Sequence, residues 1–307
     1  MLKRNVLEVI GDTPLIKLDR IKEELGLSFN VYAKLERCNP SGSIKDRAAY
    51  YIIKEALVNN EINKDSVIVE ATSGNTGISL SMICAYLGLK CVIFMPSSAS
   101  KERRLMMVAY GSEVILTDAK LGMDGSVQEA KTYLKAHSNS FLAGQFDNKN
   151  NIKAHIETTS QEILKDLNNK VDVFISAFGT SGTLVGTAIG LKKVLPNIEI
   201  IGVEPFSSSL VNKGIAGAHK IQGIGANFLP SLYNNEVVNR VLDVTDEDSY
   251  RCTRLLAQKE GLLCGISSGA EVASLLQLDS EKYKNKNIVI VLPDNGERYL
   301  SVGGLYE

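Results

Sequence analysis

The chain has 307 residues, which at about 150 per domain makes two domains or one large one. Its 34 basic and 35 acidic residues leave a formal charge of −1, which excludes the basic excess of a general nucleic-acid binder. With 44% hydrophobic and 22% charged residues it is not a disordered chain, and it can bury a sizeable core.

The opening stretch, MLKRNVLEVIGDTP, meets Glu8 and Asp12 before any long apolar run and is not a signal peptide. VIVEA (67–71) is strand-like, and a helical pattern follows over Thr76–Leu87. KCVIFMP (90–96) is the next strand. The apolar region Ile78–Met95 is thus a buried helix and a buried strand broken by Gly88 and Lys90, not a membrane span. Ser100 is placed to cap a helix that runs to Tyr110, and Gly111 to end it in a left-handed conformation. EVILT (113–117) and SFLA (140–143) are strands, and a long helical pattern follows Asn150. VDVFISA (171–177) is a strand, followed by a helix over Thr183–Val194. IEIIGVEP (198–205), RVLDV (240–244) and NIVIVLPD (287–294) are strands; Asp246–Glu260 and Ala270–Leu278 are helices.

Strands that alternate with helices and are apolar on both faces imply parallel sheets covered on both sides, an α/β chain. Two such sets are present, divided near residue 150, with no repeat, low-complexity segment or Pro-rich linker. Ligands in these folds bind at the carboxyl ends of strands, so the loops after the strands carry the functional information.

Four loops stand out. Asn39-Pro40-Ser41-Gly42-Ser43-Ile44-Lys45-Asp46-Arg47 is a tight turn that opens a helix with a lysine in its first turn. The positive end of a helix dipole disfavours a lysine's charge, and a neutral amine is a nucleophile able to form a Schiff base. On the loop alone, a surface lysine paired with Asp46 fits as well. Thr72-Ser73-Gly74-Asn75-Thr76-Gly77 joins a strand to a helix N-terminus, an arrangement for a carboxylate or phosphate, with a plain capped turn as the alternative. Gly179-Thr180-Ser181-Gly182-Thr183 repeats the pattern with less bulk and no basic side chain, which suits a tightly held phosphate better than one to be transferred. Cys264-Gly265-Ile266-Ser267-Ser268-Gly269-Ala270 precedes another helix; Ser267 suits a neutral ring nitrogen or an ordinary cap.

Five cysteines (Cys38, Cys84, Cys91, Cys252, Cys264), odd in number and lacking C-x-x-C, are not a disulfide framework and fit a reducing cytosol. His137, His155 and His219 are too scattered for a zinc or iron site. One lysine, a phosphate cup, a carboxylate loop and small hydroxyls together are what pyridoxal 5'-phosphate chemistry requires of a protein.

The sequence resembles the fold-type II pyridoxal-phosphate enzymes, and within them the cysteine synthase (O-acetylserine sulfhydrylase) and cystathionine β-synthase family. The resemblance runs from end to end: IGDTPL (10–15), NPSGSIKDRAA (39–49), EATSGNTGISL (70–80), Gly122-Met123, GQFDN (144–148), GTSGT (179–183), GVEP (202–205), KIQGIGANF (220–228), GISSGA (265–270) and LPDNGERYLS (292–301). It implies two packed domains, each an open, mostly parallel sheet with helices on both faces, as in tryptophan synthase β. Residues 35–151 would form one domain, 1–34 plus 152–307 the other, with the active site between them.

Carried over, Lys45 resembles the Schiff-base lysine and the general base at Cα. Asn75 resembles the residue that hydrogen-bonds the cofactor's 3′ oxygen. Gly179, Thr180, Ser181, Gly182 and Thr183 resemble the phosphate cup, and Ser267 the residue facing the pyridine nitrogen. Thr72, Ser73, Gly74, Thr76 and Gln145 resemble the group holding the substrate carboxylate, with Met123 and Gly223 near the bound amino acid. A serine at the ring nitrogen leaves it unprotonated, which favours loss of a β leaving group to an aminoacrylate and so β-replacement or β-elimination.

Three positions are notable against the family, the first being Cys38, which precedes the Asn-Pro turn where relatives vary and is not assigned a catalytic role. Ser181 stands where many relatives have a third glycine. Asn227 stands where typical cysteine synthases have glycine, which suggests that L-cysteine also serves as β-substrate, with release of sulfide. Cystathionine β-synthase-like condensation, serine or threonine dehydration, and a non-catalytic amino-acid sensor are the competing functions. The resemblance further implies a cytoplasmic homodimer, docking of serine acetyltransferase, and no nucleic-acid or membrane partner. No haem-binding segment precedes the lysine loop and no nucleotide-binding module follows it, so the expectation is the catalytic core alone.

Overall fold

A computed structural model describes residues 2–306. In chain order the elements are β1 (Leu15–Lys17), α1 (Asp19–Glu24), β2 (Asn30–Leu35), α2 (Lys45–Val58), β3 (Val67–Ala71), α3 (Asn75–Leu87), β4 (Lys90–Pro96) and α4 (Lys101–Ala109). Next come β5 (Glu113–Thr117), α5 (Gly122–Ala136), β6 (Ser140–Leu142), α6 (Asn150–Ala154), a π-turn (His155–Thr159), α7 (Ser160–Asp166), β7 (Val173–Ala177) and α8 (Gly182–Lys192). The chain ends with β8 (Glu199–Pro205), α9 (Leu210–Lys213), β9 (Arg240–Val244), α10 (Asp246–Glu260), α11 (Ile266–Ser274) and β10 (Asn287–Leu292).

The chain divides into two compact units. One contains Lys45–Asn151 with the N-terminal stretch to Ile10; the other contains Gly11–Ile44 and Ile152–Glu307. The segment 35–44 belongs with the second unit because its hydrogen bonds go there: Ile44 N–H donates to Pro293 O at 2.8 Å and the Arg298 guanidinium to Ser41 O.

The first unit is a four-stranded parallel sheet in the order β5-β4-β3-β6. Alternate residues of each strand feed opposite faces. Ile68 and Ile93 pack with Ile52, Ile53, Ile78 and Leu80 of α2 and α3, while Val69, Val92 and Phe94 pack with Ala130 of α5. Such two-sided cover is why these strands are apolar runs rather than alternating ones. Ser100 caps α4, its Oγ accepting from Arg103 N, and Gly111 follows that helix at φ +89°.

The second unit is a six-stranded sheet in the order β1-β2-β10-β7-β8-β9, parallel except for β1 against β2. Val173, Ile175, Ile288 and Ile290 face one core; Phe174, Val289 and Val291 face the other. In each sheet the strand order reverses at one place. In the first it lies between β3 and β6, and in the second between β7 and β10. Such reversals leave a crevice at the strands' carboxyl ends, where α/β proteins bind ligands.

Candidate active site

The loops singled out from sequence follow the strands at these reversals or lead into them. In the first unit the loop after β3 holds Thr72, Ser73 and Gly74. Asn75 and Thr76 open α3. Thr72 Oγ1 accepts from Gly74 N at 3.2 Å, which tightens the turn. Thr76 Oγ1 donates to Gln145 Oε1 at 2.6 Å, and both side chains are buried. Gln145 is fixed in turn: its backbone oxygen accepts from Asn151 Nδ2 at 2.8 Å, and the preceding Gly144 N donates to Glu70 Oε2 at 2.8 Å. The structure therefore joins Thr72–Thr76 and Gln145, 69 positions beyond Thr76, across the reversal. Met123 stands apart on the first turn of α5, 37% exposed.

Lys45 is the first residue of α2 and is half-buried. The chain is delivered to it by a tightly bonded segment of the second unit. Thr13 Oγ1 and Asn39 Nδ2 both donate to the buried Glu36 carboxylate, at 2.7 and 2.8 Å, and Gly11 N donates to Asn39 Oδ1 at 2.9 Å. Gly42 N then donates to Asn39 O, closing the turn. The IGDTPL and NPSGS motifs are thus two strands of one polar network, which ties the approach to Lys45 to the start of β1.

In the second unit the loop after β7 carries Gly179–Thr183, the stretch expected to form the cup. Gly179 packs so closely that a Cβ would stand 2.6 Å from Gly223 O, so only glycine fits, and Gly225 N donates to Phe178 O at 3.2 Å. Gly223 is thereby brought to the cup. Ser181 adopts φ +67° as the cap of α8, a left-handed conformation that favours glycine, and its buried Oγ has no hydrogen-bond partner. Thr180 Oγ1 accepts from Gly182 N at 3.3 Å. Thr183 Oγ1 lies 3.2 Å from His155 Nε2. An orphaned buried hydroxyl costs about 1–3 kcal/mol. At the N-terminal end of α8 it marks a place for an anion, and the residues fit a phosphate.

Ser267, 4% exposed, lies in the first turn of α11. One helical turn on, Glu271 Oε1 accepts from Ala177 N at 2.7 Å, tying α11 to the end of β7 just before the cup. Asn227 is exposed at φ +60°, the conformation its glycine counterpart would take, and its Oδ1 accepts from Ser208 Oγ at 2.9 Å.

Burial alters the acid–base character of several groups. It raises Glu70 to about 7 against the hydrogen bonds from Gly144 and its neighbours, and it raises Glu271 well above the ordinary carboxylate range. It pushes the Cys264 thiol up to about 11, so this cysteine near Ser267 is not a thiolate at neutral pH. All five cysteines are free, and Cys38 is exposed. Among the described residues, no group of three or more His, Cys, Asp or Glu could hold a metal ion, and no helix is long and apolar enough to cross a membrane. Sequence reading missed Glu70, Glu271 and His155. For Glu70 a signal existed: an acid inside a strand apolar on both faces has to be buried.

A loop of glycines and small hydroxyls with no basic residue of its own suits a retained phosphorylated cofactor better than a phosphate to be transferred. The class is that of the pyridoxal-phosphate-dependent enzymes. Residues 6–294 match the family described as "Pyridoxal-phosphate dependent enzyme", and the chain belongs to it. Within the family it is 50% identical over 296 residues to "Cysteine synthase B" of Campylobacter jejuni, covering 96% of each chain. A solved cysteine synthase from Entamoeba histolytica superposes with a TM-score of 0.96 at 39% identity, covering 100% of this chain and 91% of that one. A hydrogen sulfide-producing enzyme from Fusobacterium nucleatum superposes at 0.92 with 46% identity, covering 98% and 99%. The chain is a fold-type II enzyme that uses pyridoxal 5'-phosphate for replacement or elimination at the β-carbon of an amino acid.

Proposed function

We propose that the chain takes O-acetylserine as β-substrate and forms cysteine with sulfide, and that it also accepts L-cysteine and releases sulfide. The observation that carries this reading is the Thr76–Gln145 pair set beside the loop after β3. It is a neutral pair already held in place by a hydrogen bond, with no acidic side chain in the loop to repel a substrate carboxylate. The names of the similar proteins, cysteine synthase and a hydrogen sulfide-producing enzyme, support the two β-substrates.

When bound, pyridoxal phosphate supplies the electron sink that lets a proton leave Cα and a group leave Cβ. In this proposal Lys45 Nζ anchors the cofactor and then takes and returns the Cα proton. The amides and hydroxyls of Gly179–Thr183 hold the phosphate. Ser267 offers a hydroxyl, not a carboxylate, to the ring nitrogen and so leaves that nitrogen without a proton. Asn75 donates to the 3′ oxygen. Thr72, Ser73, Gly74, Thr76 and Gln145 hold the substrate carboxylate, while Met123, Gly223 and Asn227 contact its side chain. Asn227, polar where glycine is usual, is the motive for cysteine as second substrate. A cytoplasmic location, a homodimer and docking of a serine acetyltransferase belong to the proposal on the strength of the resemblance, and sedimentation with and without the acetyltransferase tests the last two.

The deciding experiment is the visible spectrum of the purified holoenzyme with O-acetylserine and, separately, with L-cysteine. The cofactor band is expected to shift with each, with acetate released in the first cuvette and sulfide in the second. A band unmoved by either would overturn the reading; a shift with O-acetylserine alone would remove the cysteine arm.

A further inference from the structure

His155 is 1% exposed and sits on the π-turn between α6 and α7. Its Nδ1 is 2.8 Å from Thr159 Oγ1, four residues along the same turn. Its Nε2 is 3.2 Å from Thr183 Oγ1, the last hydroxyl of the cup. Single π-turns interrupt regular helix geometry and concentrate at functional sites. Here the turn brings the ring against α8, whose approach is so close that a Cβ at Gly186 would stand 2.8 Å from His155 Cβ.

The two contacts set a direction. A threonine hydroxyl has one proton to give. If Thr183 gives it to an anion in the cup, its oxygen must accept from His155, which requires the proton on Nε2. A neutral ring protonated at Nε2 has an acceptor at Nδ1, and Thr159 Oγ1–H supplies the donor. The chain Thr159 Oγ1–H to His155 Nδ1, His155 Nε2–H to Thr183 Oγ1, Thr183 Oγ1–H to anion is then satisfied at every link. If His155 only filled a hole in the core, Thr183 could equally donate to Nε2, turning its proton away from the cup.

We propose that His155 is a positioning residue for the cofactor phosphate, its Nε2–H aiming the Thr183 hydroxyl at a phosphate oxygen while Thr159 fixes the tautomer. The inference rests on the reading of Gly179–Thr183 as the phosphate cup. It gives a site with no basic residue in its loop a second layer of oriented donors.

The test uses the holoenzyme and its variants His155→Asn, His155→Gln, Thr183→Val and the double variant H155N/T183V. The dissociation constant of pyridoxal phosphate is measured by equilibrium dialysis, and the bound phosphate is followed by phosphorus NMR. H155N, too short to reach Thr183, is expected to weaken cofactor binding by about tenfold, the worth of one hydrogen bond in a charge-assisted chain, and to move the phosphorus resonance. H155Q, whose amide N–H stands where Nε2–H stood, is expected to restore both. In the T183V background H155N should cost less than about twofold more, because the link is already cut. Additive losses, or an unmoved resonance in H155N, would overturn the inference while leaving the cup intact. T183V binding as tightly as wild type would remove the cup reading and this inference with it. Nitrogen NMR of the wild-type holoenzyme needs no variant to fold: a ring protonated at Nε2 is expected, and one protonated only at Nδ1 would overturn the assignment.

Discussion

Thr76 and Gln145 are joined by a 2.6 Å hydrogen bond across the reversal in strand order of the first unit, with Thr76 Oγ1 donating to Gln145 Oε1. The bond leaves the Gln145 amide N–H group as the donor end of the pair, and donors are what a carboxylate needs. Thr76→Val keeps the volume and removes the hydroxyl. Gln145 Oε1 then loses this buried donor, and its amide is free to flip or drift. KM for O-acetylserine should rise by about tenfold with kcat nearly unchanged, because the carboxylate is held alike before and during reaction. A fall in kcat at constant KM would place the pair elsewhere in the mechanism.

Lys45 is the residue whose loss should separate binding from chemistry. Lys45→Ala is expected to keep the cup and still take up pyridoxal phosphate, more weakly. It should lose the visible band of the lysine-linked cofactor and at least about 10³-fold in turnover, within the range a general base supplies. A variant that kept its band and half its turnover would make Lys45 a structural lysine.

How legible these features are in sequence depends on where each side chain finds its partners. β3, β4, β5 and β9 can be read to the residue because each is a short, mostly apolar run, buried on both faces in β3 and β4 and partly covered in the edge strands β5 and β9. β2 is not legible, though it lies next to β10 in the sheet. Its NVYAKL run contains Lys34, which is fully buried only because Thr13 O accepts from it at 2.6 Å and Glu162 pairs with it at 2.8 Å, 128 positions away in the chain. The long helical pattern after Asn150 is one continuous helical stretch to Asp166, but its middle turn is not α-helical. Between α6 and α7 it widens into the π-turn where α8 packs close, a tertiary demand with no local signature. The site loops are legible because strand-end turns need Gly, Ser and Thr at fixed places. The buried residues behind them, Glu70, Glu271 and His155, are ordinary residue types until their neighbours are known.

Ser181 couples backbone strain to ligand binding. At φ +67° a serine costs about 1 kcal/mol relative to glycine. Its buried hydroxyl has no partner in the protein, and an anion held in the cup would supply one. Ser181→Gly should therefore stabilise the apoenzyme by about 1 kcal/mol while weakening pyridoxal phosphate by about fivefold to tenfold, read from thermal melts and from equilibrium dialysis. If stability and affinity moved in the same direction, the hydroxyl would not be serving the ligand.

Glu70 predicts a pH profile for stability. Burial raises its carboxyl from the ordinary 4.5 to about 7. Between those values the folded chain keeps a proton that the unfolded chain has lost, so stability falls as pH rises through the window and levels off above it. At about 1.4 kcal/mol per pH unit the full loss approaches about 3 kcal/mol. Glu70→Gln retains an acceptor for Gly144 N–H but has no charge to desolvate. Urea midpoints from pH 5 to pH 8 should decline for wild type relative to E70Q, with the gap opening through the window and constant beyond it. Parallel profiles would mean that Glu70 is already ionised at the bottom of the range, and that the hydrogen bonds from the 144–145 turn outweigh the cost of burying its charge.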